Sequence, residues 1–293
     1  MILDARAVDE LVDVHELLRD IERVLLEAPK PPQRVALEME SSWLGVMPAS
    51  CPGFYSVKIV GVYPSNPARG LPLVRGVLFL IDSETGEVLL EADAGPATAW
   101  RTAAASALAL RLLGFKRGAL GVVGAGVQGR YHVLVFKRVF DVERLLVYDI
   151  DERKAERLAT EAGGSVARSA RDVLEEADAI VAATTSKTPV VQGGLLKPGS
   201  LVASVGAPRP VRELDEVAVK RSRCILVDSI EGVTSESDDW IGAEKLLSLA
   251  DALRGERCEW GDIRVYKSVG YSLFDLAVAI HLYKRARERG FLK

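Results

Sequence analysis

The first third of the chain combines one helical pattern with a group of short alternating segments. Apolar residues recur at helical spacing from residue 9 to residue 28, where "APKPPQ" interrupts them, so we expect an amphipathic helix. Between residues 34 and 93 the runs are short and β-like, and "DSETGE" between the last two is typical of a hairpin. Strands this close in sequence favour an antiparallel sheet. The Ala- and Leu-rich run "GPATAWRTAAASALALRLLGF" then predicts a helix that ends at Gly114.

From residue 119 onward, strand-like and helix-like segments alternate. Five nearly continuous apolar runs predict strands: "ALGVVGA", "RLLVYDI", "ADAIVAATTS", "GSLVASVG" and "RCILVDS". Strands that are apolar on both faces and separated by helices indicate a parallel sheet covered on both sides. The chain closes with a strand, a turn and a helix, and we expect this helix to pack back on the N-terminal domain. The fold class is therefore α/β, with a doubly wound parallel sheet.

The segment "LGVVGAGVQG" carries a dinucleotide-binding pattern. Gly124, Gly126 and Gly129 follow a strand and open a helix, and Asp149 ends the next strand twenty residues after Gly129. These glycines permit a tight turn, close approach of a pyrophosphate and close helix–strand packing, while the helix N-terminus offers free N–H groups. Asp149 can accept hydrogen bonds from ribose hydroxyls and repels a 2′-phosphate, which favours NAD over NADP. The alternative, a glycine-rich turn without a ligand, is disfavoured by the five strands and by the acid.

Composition narrows the class of partner. A chain of 293 residues is long enough for two domains, and its net charge of −3 argues against a nucleic-acid surface. No stretch approaches the roughly 18 apolar residues of a membrane span, and the acidic start does not resemble a signal peptide, so we expect a cytoplasmic protein. The three cysteines and three histidines are scattered, so we expect no metal site. A single Asn and three Gln follow a thermophile tendency.

Two cations and one turn are further candidates for chemistry. Lys58 lies within "FYSVKIVGV", where an outward lysine on a half-exposed strand is the ordinary interpretation. Arg101 falls in the first turn of its predicted helix, on a face with apolar residues, where a cation opposes the helix dipole. It is either an anion clamp for a carboxylate or a side chain that extends to water. Thr184, Thr185 and Ser186 follow a strand, where ligands bind in such sheets, or they form an ordinary turn.

Several segments, taken together and in order, resemble the ornithine cyclodeaminase and mu-crystallin family, which includes archaeal alanine dehydrogenase. They include "VMPAS", "VGVYPSNPARGLP", "TAWRTAAAS", "GVVGAGVQGR", "ATTSKTPVV", "RELDE" and "YKSVGYSLFDLAVA". The resemblance implies a Rossmann NAD-binding domain at 116–264 and a discontinuous α+β substrate-binding and dimerisation domain at 1–115 and 265–293. It also implies a homodimer, bound NAD(P), and substrates that are amino acids or the imines and keto acids derived from them.

The resemblance also assigns roles to individual residues. Lys58 matches a lysine that pairs with the substrate carboxylate and helps to move protons, and Arg101 matches a carboxylate-binding arginine. The remaining matches are to cofactor contacts: Gly124, Ala125, Gly126, Val127, Gln128, Asp149, Ile150, Thr184, Thr185, Ser186, Val205, Ser268 and Val269.

Two positions depart from the family's pattern. Gly45 stands where the family usually has a further carboxylate-binding arginine, and Pro208 stands where it has an acid. In the cyclodeaminases that acid is thought to orient the distal amine and the water, so cyclodeamination loses its proposed base here. Hydride transfer needs mainly positioning and a proton donor. Arg209 and Arg212 lie beside Pro208 and are candidates for binding a second acidic group of a substrate.

We therefore expect an NAD-dependent oxidoreductase that acts on an amino acid or its derived imine or keto acid, as a ketimine reductase or an amino-acid dehydrogenase. The first alternative is an ornithine cyclodeaminase-type lyase with tightly bound NAD. The second is a dinucleotide-binding protein with impaired catalysis. The sequence leaves the substrate and the direction of the reaction open.

Overall fold

The computed structural model describes residues 1–206 and 209–291. The chain forms two units, one made of Met1–Arg101 with Ser272–Lys293 and the other of Thr102–Tyr271. The sequence predicts domain boundaries at 115/116 and 264/265. In the structure the first boundary falls earlier, at 101/102, and the second falls later, at 271/272. No helix within the described ranges is long and apolar enough to cross a membrane.

The elements alternate in the manner that the sequence patterns predict. The helices of the described residues are α1 Ala5–Leu11, α2 Val14–Glu27, α3 Ala94–Leu112, α4 Val127–Val139, α5 Glu152–Ala162, α6 Ala170–Glu176, α7 Glu216–Ser222, α8 Ile230–Glu236, α9 Leu249–Leu253 and α10 Ser272–Glu288. The strands of the first unit are β1 Ile2–Leu3, β2 Val35–Met39, β3 Ser42–Cys51, β4 Phe54–Val62, β5 Val74–Asp82 and β6 Val88–Asp93. Those of the second are β7 Arg117–Val123, β8 Asp141–Tyr148, β9 Ser165–Val166, β10 Ala179–Ala182, β11 Leu201–Ser204, β12 Cys224–Val227, β13 Lys245–Ser248 and β14 Arg264–Lys267.

The first unit is a six-stranded sheet in the order β1-β6-β5-β4-β3-β2, antiparallel except where β1 pairs with β6. The expected antiparallel sheet is therefore confirmed. Helix α10 contacts both α2 and the strands β3, β4 and β5, which confirms that the last helix packs on the N-terminal segment. Because it has neighbours on several sides, α10 is buried almost all round rather than along one stripe.

The single helix expected over residues 9–28 is wrong, because the structure has two helices there. Val12 is extended, and the Asp13 side chain accepts a hydrogen bond from the Glu16 N–H, so that α2 begins afresh. Aspartate bonds to nearby backbone N–H groups more readily at a helix start than within a helix. The apolar spacing continues through this break, which is why the periodicity did not reveal it.

The second unit is an eight-stranded, wholly parallel sheet in the order β13-β12-β14-β11-β10-β7-β8-β9. Five of its strands, β9-β8-β7-β10-β11, follow the doubly wound order, and the order of the strands reverses between β7 and β10. The parallel sheet expected from the five apolar runs is confirmed, and β9, β13 and β14 extend it. A disulfide joins Cys224 to Cys258, 34 positions apart in sequence, which the cysteine spacing did not predict.

Candidate active site

The glycine-rich turn after β7 has the backbone geometry that its spacing predicted. Gly124 adopts a φ of +103°, and a Cβ there would lie 2.5 Å from the Ala183 carbonyl oxygen. A Cβ at Gly129 would collide with the Gly124 carbonyl oxygen, since α4 packs closely on the turn. By contrast, a Cβ at Gly126 would meet no described atom within 4 Å. The turn is therefore tight on its protein side and open at Gly126, where a pyrophosphate would approach.

The start of α4 is suited to an anion. Gly126 is the N-cap residue, and no side chain of the described residues bonds to the first N–H groups of the helix. Thirteen residues of helix follow, so the N-terminal end carries the positive end of a sizeable dipole. Gln128 in this first turn has a buried side-chain oxygen without a hydrogen-bond partner in the described part of the chain.

Asp149 directly follows β8 and joins two loops. Its Oδ2 accepts a hydrogen bond from the Ala125 N–H at 2.7 Å, and its Oδ1 accepts one from the Asp151 N–H at 2.9 Å. The carboxylate is thus fixed beside the glycine-rich turn while remaining partly exposed. The apolar side chains of Val127 and Ile150 are 65% and 94% exposed, so the same edge of the sheet presents apolar surface next to polar groups.

The other predicted cofactor residues lie at the ends of neighbouring strands. Thr184, Thr185 and Ser186 follow β10 and Val205 follows β11. Ser268 and Val269 follow β14, and the Ser268 hydroxyl and the Val269 N–H donate to the Asp228 carboxylate at 2.7 and 2.9 Å. Every predicted cofactor residue is therefore found at the carboxyl edge of the parallel sheet, which is where ligands bind in this fold.

Lys58 is buried in the first unit with only 1% of its surface exposed, so the outward-facing interpretation of this lysine is wrong. Its Nζ donates to Asp275 Oδ1 at 2.8 Å and to Thr98 Oγ1 at 3.4 Å. Helix α10, which carries Asp275, covers the strands around Lys58. Burial therefore comes from packing between segments that are distant in sequence.

Arg101 is also buried, with 5% of its surface exposed, so the interpretation in which it extends to water is wrong. Its expected place in the first helical turn is wrong too, because α3 begins at Ala94 and Arg101 lies about two turns in. At the start of this helix the Asp93 side chain accepts a hydrogen bond from the Gly95 N–H.

One carboxylate serves both buried cations. Arg101 Nε lies 3.0 Å from Asp275 Oδ1, the same atom that Lys58 contacts. Among the described residues, Arg101 Nε and Nη1 and Asp275 Oδ2 are buried without an aligned hydrogen-bond partner. The cluster thus has two positive groups, one negative group and unused guanidinium donors. Such an arrangement is stabilised by a second anion with two oxygens, and a carboxylate has that shape.

The surroundings of Lys58 shift its pKa toward neutrality. Burial lowers the pKa of Lys58, Asp275 raises it and the neighbouring Arg101 lowers it, and together these effects bring it from its usual value to about 7. A group with a pKa near neutrality can both donate and accept a proton at the pH where most proteins work. The cluster therefore has donors suited to a carboxylate and a lysine suited to proton exchange.

Gly45 and Pro208 are the two positions that depart from the family's pattern. Gly45 pairs with Val60 on the face of the sheet that carries Lys58, and the Trp43 indole lies over its α-carbon. A side chain at position 45 would collide with that ring. Pro208 lies outside the described residues.

The two arginines after Pro208 are bound to backbone carbonyls. Arg209 Nε donates to Asp238 at 2.8 Å, and its terminal nitrogens donate to carbonyls of residues 234, 235 and 237 at the end of α8. Arg212 Nη2 donates to the Ile241 carbonyl at 3.3 Å. The contacts of Arg209 use much of its donor capacity for the protein itself.

Sequence reasoning missed four acids that are at most 1% exposed: Glu213, Asp228, Asp239 and Asp275. A signal for Asp275 was present, because it is the one charged residue in the apolar run "SLFDLAVAI". An acid within an otherwise apolar helix needs a buried partner, and no local pattern identifies that partner.

Comparison with known proteins places these features in context. The model of the ornithine cyclodeaminase/mu-crystallin family matches residues 1–290. Alanine dehydrogenase of Archaeoglobus fulgidus is 28% identical over 305 residues, which covers 98% of this chain and 95% of that protein.

Two solved structures share the fold over almost the whole chain. Delta(1)-pyrroline-2-carboxylate reductase of Thermococcus litoralis, in complex with NADH and L-proline, has a TM-score of 0.90 and 32% identity, covering 99% of this chain and 98% of that one. An archaeal alanine dehydrogenase dimer with bound NAD has a TM-score of 0.87 and 28% identity, covering 99% and 97%. The expected Rossmann sheet with a second α+β unit is confirmed by these likenesses.

Proposed function

Because the chain belongs to the ornithine cyclodeaminase/mu-crystallin family, we propose that it is an NAD-dependent oxidoreductase acting on an amino acid or its derived imine or keto acid. The observation that carries the proposal is the buried cluster of Lys58, Arg101 and Asp275. It offers net positive charge and unused donors to a carboxylate, next to a lysine whose pKa is lowered to about 7. The first unit then binds the substrate and the second binds NAD.

The second unit fits NAD by three observations. The glycine-rich turn is open at Gly126, the first N–H groups of α4 lack a side-chain cap in the described residues, and Asp149 is fixed beside them. The N–H groups would hold the pyrophosphate, and Asp149 would accept bonds from the ribose hydroxyls. Its negative charge disfavours a 2′-phosphate. Both structural relatives described above are complexes with NADH or NAD.

In the proposed reaction the first unit orients the substrate and moves one proton. Arg101 binds the substrate carboxylate through its free donors, which holds the adjacent α-carbon in a defined place. Bound NADH supplies the hydride that this carbon receives in the reductive direction. Lys58, as an ammonium, donates a proton to the imine nitrogen, and the product is the amine. In the oxidative direction the neutral Lys58 amine accepts the proton that the substrate nitrogen loses.

The test is NADH oxidation with cyclic imines such as pyrroline-2-carboxylate, and with ammonia plus a panel of 2-keto acids. We expect turnover that collapses in Lys58→Ala and Arg101→Ala. The matched controls are Lys30→Ala and Arg19→Ala, which remove exposed cations of the same unit. Ammonia release from diamino acids without net change in NADH would indicate the lyase instead. NADH binding without turnover on any substrate would indicate an impaired binding protein.

We also propose that the protein is a homodimer that associates through the edge strand β2. Among the described residues this strand pairs only with β3. Val35, Leu37 and Met39 expose 58%, 59% and 75% of their surface along one side of it. An exposed edge with an apolar stripe favours pairing with another chain. Light scattering should give twice the chain mass, and Leu37→Glu should give the monomer. The control Val88→Glu changes an exposed apolar residue of β6 and should remain dimeric.

We further propose a cytoplasmic protein from a thermophile. The single Asn and three Gln support this origin, and intracellular proteins of hyperthermophiles often contain disulfides such as Cys224–Cys258. Calorimetry should show a melting temperature above about 80 °C, whereas mesophile domains melt near 45–65 °C. A melting temperature in the mesophile range would contradict the proposal.

A further inference from the structure

Three charged groups are completely buried in the second unit and have no part in the chemistry described above. Glu213, Asp239 and Lys267 each have 0% of their surface exposed. Buried charges destabilise a protein unless each one is paired or hydrogen-bonded. The partners of these three groups therefore have to be held in defined positions. Their contacts show which parts of the chain are held in this way.

Glu213 holds the loops that follow two adjacent strands. Its Oε1 accepts hydrogen bonds from the Thr184 N–H at 2.9 Å and from the Thr184 hydroxyl at 3.0 Å, just after β10. Its Oε2 accepts bonds from the Ser204 hydroxyl at 2.7 Å and from the Gly206 N–H at 2.9 Å, at the end of β11. One carboxylate therefore satisfies four donors from two loops.

Lys267 completes the arrangement from the end of the next strand, β14. Its Nζ forms an ion pair with Asp239 Oδ2 at 2.7 Å, and it donates to the Gly206 carbonyl at 2.7 Å and to the Ser204 hydroxyl at 3.1 Å. Asp239 in turn accepts a hydrogen bond from the Leu214 N–H at 3.0 Å. The peptide groups on both sides of Gly206 are thus held by charged side chains, its N–H by the carboxylate and its carbonyl by the ammonium.

The loops are also too close together to move independently. A Cβ added to Gly206 would lie 2.6 Å from Glu213 Oε1 and 2.9 Å from the Thr184 backbone nitrogen. Glycine is therefore required where the two loops meet over the carboxylate. Displacement of one loop breaks bonds to the other.

The position of this network in the sheet indicates its purpose. In the doubly wound order, each half of the sheet binds one mononucleotide half of a dinucleotide. The glycine-rich turn and Asp149 belong to the half formed by β7, β8 and β9. The loops held by Glu213 and Lys267 belong to the other half, formed by β10, β11 and β14. We propose that Glu213 and Lys267 are positioning residues for the nicotinamide half of NAD, an inference that rests on the proposed function.

Glu213→Gln tests the proposal because it keeps the volume of the side chain but replaces one of its two accepting oxygens with a donating NH₂ group. Either orientation of the amide directs its NH₂ group at a backbone N–H, that of Thr184 or that of Gly206, and neither can accept. The loop facing the NH₂ group must therefore move. We expect the dissociation constant for NADH, measured by calorimetric titration, to rise about tenfold or more.

ADP-ribose is the discriminating ligand, because it contains the adenosine, the pyrophosphate and the second ribose of NAD and lacks only the nicotinamide ring. Its dissociation constant should stay within about twofold of that for the unmodified protein. The control Leu226→Ala removes a buried side chain of β12 and lowers stability without touching the network. In this control the dissociation constants for NADH and ADP-ribose should change by the same factor. A positioning role is thereby distinguished from general destabilisation.

If Glu213→Gln does not fold, a second variant tests the positioning role of Glu213 and Lys267. Ser204→Ala removes one donor to Glu213 and one acceptor of Lys267, and it should weaken NADH about threefold while leaving ADP-ribose unchanged. Equal weakening of both ligands, or weakening of neither, would overturn the inference while leaving the proposed function intact. If the unmodified protein binds neither NADH nor ADP-ribose, the proposed function fails and the inference fails with it.

Discussion

Replacement of Asp275 by asparagine tests the electrostatics of the substrate cluster directly. The change removes one negative charge at constant volume from a site where Oδ1 lies 2.8 Å from Lys58 Nζ and 3.0 Å from Arg101 Nε. The two cations are then left without a shared anion. Arginine keeps its proton at any accessible pH, so Lys58 must relieve the repulsion by losing its own proton. The pKa of Lys58 therefore falls in Asp275→Asn.

The size of this fall in the pKa of Lys58 follows from the direct contact between the charges. An opposite charge in direct contact typically displaces a pKa by about 1–3. The unmodified Lys58, with its pKa lowered to about 7, is about half protonated at neutral pH. A further fall of about 2 leaves about one molecule in a hundred protonated, so the kcat/KM of the reductive reaction at pH 7 should fall about 50-fold.

The direction of the pH dependence provides a second criterion. In the unmodified enzyme the reductive kcat/KM should fall as the pH rises through about 7, because the ammonium donor is lost, and the oxidative kcat/KM should rise over the same range. In Asp275→Asn both inflections should move to lower pH. Part of the reductive activity should then return in acid, which a misfolded site would not show.

The assay is steady-state kcat/KM in both directions from about pH 5 to about pH 9, with melting temperatures measured in parallel. The control Asp20→Asn makes the same substitution at a carboxylate of the same unit, which bonds instead to His281 and Lys284. Its inflection should stay near that of the unmodified enzyme. An unchanged or raised inflection in Asp275→Asn would refute the reasoning, as would an inflection near pH 7 that persists in Lys58→Arg.

Three further predictions concern the second unit. Cys258→Ser should lower the free energy of unfolding by about 4 kcal/mol, because the disulfide to Cys224 closes a loop spanning 34 positions, and unchanged denaturant unfolding would contradict this. Asp149→Ser should raise the affinity for NADPH relative to NADH by about tenfold, since a charge that repels the 2′-phosphate is removed; an unchanged ratio of dissociation constants would exclude that role. Gly129→Ala should lower the melting temperature and abolish NADH binding, because its Cβ meets a backbone carbonyl of the same turn. Gly126→Ala should melt like the unmodified protein, because no described atom lies within 4 Å of its Cβ.

The sequence by itself determined the plan of the second unit. Strand runs that are apolar on both faces, the glycines at 124, 126 and 129 and the acid at 149 predicted a parallel sheet with a tight turn, and the structure contains both. These features are readable because each depends on periodicity or on backbone conformation within a few neighbouring residues. The antiparallel sheet of the first unit was predictable for the same reason.

Local patterns failed where a side chain decides between two local states. The apolar spacing from residue 9 to residue 28 is continuous, yet Asp13 ends one helix and begins another by bonding to the Glu16 N–H. This outcome depends on a single hydrogen bond, which the hydrophobic pattern does not encode.

Only the tertiary structure decided what Lys58 and Arg101 are. From their neighbours in sequence, each could face water, and the choice depended on whether another segment covers them. That segment is α10, and its Asp275 bonds to Lys58 across 217 positions of sequence. Burial by a distant helix removes water from the two cations, lowers the pKa of Lys58 to about 7 and leaves donors of Arg101 free. Charge and residue type are properties of the sequence, but desolvation is a property of packing, and desolvation turns these cations into a candidate site.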